Sequence, residues 1–178
     1  MPFRHLAGHR VLLDLVARAA ARGSLPPSLI FAGPDGVGKR LAALSLAQLF
    51  NCTSVAGEPD GELAPDACGN CSACRRIARG VHADVLVIEP GDTGSIKVDQ
   101  VRAAIERTAY RPFEGRRRVV IVDEADAMEA APQNALLEYV GWTSNGMSVN
   151  GNPHWYRDEA GNYFWAGATT RPIPGISD

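Results

Sequence analysis

Residues 31–48 read FAGPDGVGKRLAALSLAQ, and the fold turns on how that stretch is understood. Gly33, Gly36, Gly38 and Lys39 stand at the spacing of a phosphate-binding loop. In such a loop glycines let the backbone wrap closely round phosphate oxygens, successive N–H groups point inward, and the lysine reaches the β and γ oxygens. The flanks suit that reading. SLIFAG (28–33) reads as a short buried strand, and KRLAALSLAQLF (39–50) as a helix apolar on most sides, packed against a sheet. The bland alternative is a glycine turn that caps a helix and holds no ligand. Arg40 follows, where a phosphate loop places the serine or threonine that coordinates Mg2+. A guanidinium has a positive charge and no lone pair. ATP is therefore expected to bind weakly through Gly33, Gly36, Gly38 and Lys39, with hydrolysis weak or absent.

Outward from the loop, helices and strands alternate. Leu6, Val11, Leu12, Leu15, Val16 and Ala19 recur at helical spacing between His5 and Arg22, and Gly23, Pro26 and Pro27 end the pattern. ADVLVIE (83–89) reads as a strand, VDQVRAAIERTAY (98–110) as an amphipathic helix with Asp99 as N-cap, and RRVVIVDEAD (117–126) as a strand with an acidic end. This order indicates an α/β fold, a three-layer sandwich around a parallel sheet. Asp123 and Glu124 occupy the Walker B positions, one holding metal through water and the next polarising the attacking water. A solvated strand end is the alternative. Beside Arg40 the two carboxylates are read as vestigial, and no residue is assigned as catalytic.

Cys52, Cys68, Cys71 and Cys74 form C-x15-C-x2-C-x2-C. Four thiolates so close together can enclose one tetrahedral Zn2+ with no open position, a structural site. Two disulfides or four unrelated thiols are the other options, and a reducing cytoplasm disfavours them. RPFEGRRRVV brings Arg111, Arg116, Arg117 and Arg118 together, a solvated face or a DNA or partner contact. With a net charge of -2 the chain has no global nucleic-acid footprint, so any such contact must be local. The N-terminus lacks the apolar core of a signal peptide and no run is long enough to span a bilayer, which gives a cytoplasmic expectation. His5, His9, His82 and His154 stand apart in sequence and are read as surface or packing residues.

LPPSLIFAGPDGVGKRLAALSLAQLFNC, ACGNCSACRRIARGVHADVLVIEP, SIKVDQVR and YRPFEGRRRVVIVDEADAMEAAPQNALL together closely resemble the N-terminal AAA+ module of the clamp-loader delta prime family of bacterial DNA polymerase III. The resemblance covers residues 1–137, a partial nucleotide-binding-like module with its zinc insertion at 52–74. It implies a stator in a machine that loads a sliding clamp onto primed DNA, contacting the gamma/tau motor and delta subunits. An independent small P-loop ATPase, or a non-functional truncated or chimeric product, are the alternatives. After QNALL the family continues into a sensor strand, a serine-arginine-cysteine motif, a lid and a collar. Residues 138–178 do not follow that pattern. They hold all three tryptophans and three of the four tyrosines. HWYRDEAGNYFWAG within them reads as a hairpin turning around Glu159, Ala160, Gly161 and Asn162. A junction is expected at Leu137 and Glu138, with an unrelated aromatic tail beyond it.

Overall fold

Every residue of the two parallel strands is apolar, and the reason lies in what covers them. In the computed structural model, which describes residues 2–145, 154–157 and 163–166, β1 (Val85–Ile88) and β2 (Val119–Val122) pair in parallel, Val85 opposite Val119 and Ile88 opposite Val122. Val85, Val87, Val119 and Ile121 face one way, onto Ala43, Leu44 and Ala47 of α2 (Lys39–Asn51) and Ile77 of α3 (Ser72–Ala78). Leu86, Ile88, Val120 and Val122 face the other way. There they meet Val101 and Ala104 of α4 (Val98–Thr108) and Ala135 and Leu136 of α5 (Ala130–Asn145). With helices on both faces, neither set of alternate residues needs to be polar.

The far side of α2 is covered as well. Ala42, Leu46 and Leu49 pack against Phe3 and against Leu13, Ala17 and Ala20 of α1 (Arg10–Arg22). This corrects the expected face of α1 in part. The helix begins at Arg10, after a separate 3-10 turn at Phe3–His5, and leaves Val11, Leu12 and Leu15 exposed. Leu13 and two alanines carry the contact, with Leu6 and Val16 of the expected set partly buried against it, so the expected stripe is correct in part.

Two further expectations change. The N-cap of α4 is Lys97, whose N–H donates to Gln100 Oε1 at 2.8 Å, and Asp99 lies in the first turn, where a negative charge suits the helix dipole. The strand expected at 28–33 does not form. Among the described residues no strand pairs with that segment, and Leu29 and Ile30 are exposed. Its apolar pattern was sound, but a strand exists only with a neighbour to bond to.

Beyond Leu137, α5 runs on to Asn145, across the expected junction. β3 (His154–Arg157) and β4 (Tyr163–Ala166) pair antiparallel with Trp155 opposite Trp165, the two strands of the expected hairpin. The turn expected at 159–162 lies outside the described residues. No helix among the described residues is long and apolar enough to cross a membrane.

The two strands are anchored by a buried carboxylate. Asp84, fully buried just before β1, accepts N–H bonds from Phe113 (2.7 Å), Glu114 (2.8 Å) and Gly115 (2.7 Å), and pairs with the Arg118 guanidinium at 2.8 Å. Asn51 Oδ1, at the end of α2, takes the next two N–H groups, of Arg116 at 2.8 Å and Arg117 at 3.0 Å. The loop passes so close that a Cβ on Gly115 would come within 2.4 Å of Asn51 Oδ1, leaving room only for glycine.

Burial by itself would raise the Asp84 carboxyl, but the three N–H donors and Arg118 outweigh it and hold the group well below the usual carboxylate range. A depressed folded value means that the stabilisation is complete above the unfolded pKa near 4 and is lost as pH falls toward the folded one. Urea melts of Asp84→Ala should show a loss of about 3–5 kcal/mol at neutral pH, since Arg118 is left without its partner. On acidification below about pH 4 the native chain should lose stability more steeply than Asp84→Asn; parallel pH profiles for the two would refute the assignment.

Candidate functional site

The glycine-rich loop lies between the segment at 28–32 and α2, whose N-cap is Gly38 at φ 97°, a left-handed conformation that favours glycine. Lys39 Nζ turns back into its own loop, donating to the carbonyl oxygens of Gly33 (2.7 Å) and Pro34 (3.2 Å), with Asp35 at 3.6 Å. Of the expected nucleotide-binding residues, Lys39 contacts Gly33, while Gly36 and Gly38 lie on the same loop with positive φ.

Arg40 does what a hydroxyl could not. Its Nη1 donates to Asp123 Oδ2 at 2.8 Å and also ion-pairs with Glu89. Asp123 follows β2 directly and Glu89 follows β1 directly, so both carboxylates stand at the carboxyl ends of parallel strands, where open α/β sheets gather their ligands. Partial burial opposes the charge on Arg40, and the bonds to Asp123 and Glu89 more than offset it, raising its pKa. Glu124 is exposed, in a left-handed backbone conformation at φ 50°. The residues present fit Mg2+ poorly: Arg40 brings a cation to Asp123 Oδ2 and Glu89 Oε1, two of the oxygens an ion would use, and offers no lone pair of its own.

Sequence reasoning missed Glu89. Its signal was there, an acidic residue ending the apolar run of β1 just as Asp123 ends that of β2.

The four cysteines converge. Cys52 follows α2, Cys68 and Cys71 lie in the next loop, and Cys74 is in α3. Their Sγ atoms all lie within 4.8 Å of one another, with Cys71 and Cys52 at 4.0 Å. Ligands at about 2.3 Å round a tetrahedral zinc would sit roughly 3.8 Å apart, so the donor set fits one closed four-sulfur site. Cys52 Sγ accepts N–H bonds from Ser54 (3.4 Å) and Cys68 (3.3 Å), and Cys68 Sγ from Asn70 (3.4 Å) and Cys71 (3.2 Å). Such donors orient a thiolate and stabilise its charge. Burial pushes the Cys52 and Cys74 thiols up. The Asn70 N–H leads in drawing Cys68 down. At Cys71 burial works upward, yet N–H bonds from Cys74 and Thr53 and the Thr53 hydroxyl outweigh it, bringing that thiol down to about 6. Arg4 pins this region to the N-terminus, donating to the carbonyl oxygens of Ala67 and Cys68, both at 2.8 Å, and pairing with Asp66 at 3.1 Å.

Most of the chain, the glycine loop and the four cysteines included, falls within a match to a known family. The family model described as DNA polymerase III, delta subunit, matches residues 8–140. The chain belongs to this family. The DNA polymerase III subunit delta' of Bacillus subtilis is 32% identical over 129 residues, which are 72% of this chain and 36% of that protein. The delta' subunit of Pseudomonas aeruginosa is 38% identical over 107 residues, 60% of this chain and 30% of that protein. DNA polymerase III subunit gamma/tau of Mycobacterium tuberculosis is 32% identical over 138 residues, 78% of this chain and 23% of that protein. The chain therefore spans 36% or less of the length of these relatives.

If Arg40 fills the metal position, releasing it should open a divalent site. Millimolar Mg2+ or Mn2+ is expected to leave the melting temperature of the native chain unchanged and to raise that of Arg40→Ser by about 3–5 °C, the effect of ion at roughly ten times its dissociation constant. Equal responses in the two proteins would show that Glu89 and Asp123 are not withheld from metal.

Proposed function

We propose that the chain acts as a clamp-loader subunit of the delta prime kind. It would be a scaffold in the machine that loads the sliding clamp onto primed DNA, in contact with the gamma/tau motor and delta subunits, and would itself turn over little or no ATP. The observation that carries this reading is Arg40 bridging Asp123 and Glu89 in a chain of this family. Phosphoryl transfer to water needs a cation on the β and γ oxygens, a positioned water and, in many such ATPases, an arginine from a neighbour. Here a side chain holds the carboxylate that would serve the cation, and Lys39 is engaged with its own loop. Binding to partners needs none of these. In this reading residues 1–137 form the AAA+ module, and residues 138–178 are a separate aromatic-rich tail.

The cysteine cluster belongs to the same proposal as a structural zinc site formed by Cys52, Cys68, Cys71 and Cys74. Four thiolates leave no position for substrate, so the ion would staple the end of α2 to α3 and take no part in chemistry.

Size-exclusion chromatography of the full chain mixed with a gamma/tau subunit from the same organism tests the role. Co-elution is the expected result. Separate elution of the two at tens of micromolar would leave the scaffold reading without support, and fast Mg2+-dependent ATP turnover abolished by Lys39→Ala would favour an independent ATPase instead.

Metal analysis of protein purified without chelator should find about one zinc per chain, and chelation should lower the melting temperature by more than about 5 °C. Less than about half an equivalent, or disulfides mapped among the four cysteines, would overturn the zinc assignment.

A further inference from the structure

Arg4 holds more of the cysteine cluster than its place in the sequence suggests. Its Nη1 donates to the carbonyl oxygen of Ala67 and its Nη2 to that of Cys68, both at 2.8 Å. Each of these oxygens is one end of a peptide unit whose other end bears on a sulfur. The peptide joining Ala67 to Cys68 turns its N–H to Cys52 Sγ at 3.3 Å. The peptide joining Cys68 to Gly69 turns its N–H to Cys74, where it favours the thiolate. The two sulfurs so served belong to the buried pair of cysteines, the ones that water solvates least.

The guanidinium is itself held in place. Asp66 Oδ2 accepts both the Arg4 N–H and Nη1 at 3.1 Å, while Oδ1 accepts the N–H groups of Phe3 (2.9 Å) and Ala67 (2.8 Å). Phe3 is buried in the cluster it forms with Leu13, Ala17 and Leu46, so the turn that carries Arg4 is anchored in the core. On the other side Gly69, at φ 79°, passes so near that a Cβ there would come within 3.0 Å of Pro2 Cγ.

A guanidinium presents its N–H donors in one rigid plane, which suits two neighbouring carbonyls better than a flexible ammonium does. A carbonyl that accepts from a cation leaves its own peptide N–H a stronger donor, because hydrogen bonds in series polarise one another. Four thiolates also carry more negative charge than one divalent ion cancels, and Arg4 brings a positive charge close to that excess.

We propose that Arg4 is a positioning residue for metal at the four cysteines, aiming two peptide N–H groups at Cys52 and Cys74 and so raising the affinity of the cluster for zinc. It acts through the two peptides and not as a ligand. The inference rests on the zinc reading and adds to it a residue outside the cysteine spacing, 48 positions before Cys52.

Zinc affinity of the full chain and its variants, measured by competition with a chromophoric chelator, tests it. Arg4→Ala should bind zinc about 10- to 100-fold more weakly than the native chain. Arg4→Lys, which keeps the charge and loses the rigid plane, should recover part of that loss. Arg22→Ala is the control. It frees the tip of the same insertion, where Arg22 pairs with Asp60 and donates to Pro59 O, and it should leave the affinity within about 2-fold. Co2+ in place of zinc reports on the sulfurs directly. Its thiolate-to-metal charge-transfer band should move to longer wavelength in Arg4→Ala, since a sulfur with weaker donors gives up an electron more readily, and should stay where it is in Arg22→Ala. Native affinity in Arg4→Ala, an equal loss in Arg22→Ala, or an unmoved Co2+ band in Arg4→Ala would each overturn the proposal and leave the zinc assignment standing. A native chain that takes up neither zinc nor Co2+ would overturn both.

Discussion

The β1–β2 unit depends on a carboxylate that water does not reach. Two parallel strands of four residues cannot hold a register by themselves. Asp84 fixes it from both its ends. Its backbone carbonyl accepts the Val119 N–H at 2.8 Å, starting the ladder, and its side chain gathers the loop that delivers β2. An ionised carboxylate in this place is tolerable only with all its donors present. Loop, strand pairing and the Arg118 contact are thus coupled through this one residue. Asn51 extends the constraint to α2, so that one polar seam joins helix, loop and sheet beneath the apolar core.

How much of this was legible depended on whether the partners were local. α2, β1 and β2 are dense patterns within a few residues, and the structure places each where the pattern implied; the four cysteines, three of them closely spaced, also come together. What escaped was set by distant neighbours. Residues 28–33 have a strand's composition and, among the described residues, no strand beside them. Of the α1 stripe, Val11, Leu12 and Leu15 are exposed while Val16 packs inward, because the contact with α2 runs through Leu13, Ala17 and Ala20, and alanines carry little weight in an apolar pattern. Asp84 and Asn51 look like ordinary polar residues until the loop at 111–118 folds over them. Glu89 gained meaning only from Arg40, 49 positions earlier.

Arg40 shows how one change of side chain alters a site without altering the fold. Its ion pairs are about half exposed, and such pairs contribute on the order of 1 kcal/mol or less. The architecture does not rest on them. Their effect is electrostatic: two carboxylates at the strand ends face a guanidinium. A divalent ion at this place would have to compete with the Arg40 guanidinium for the same carboxylates.

α2 begins at this site and ends at the cysteines. Gly38 caps one end and Cys52 the other, and the 13 residues between them make a rod of about 20 Å, buried against α1 on one side and the sheet on the other. A rod so packed has little freedom to bend, and it can only tilt or slide as a unit. The sulfur cluster is the fulcrum at one end, and the phosphate loop is the tip at the other. Loss of whatever holds the cysteines together would be felt as a change of angle at Lys39 and Arg40, far from any sulfur atom.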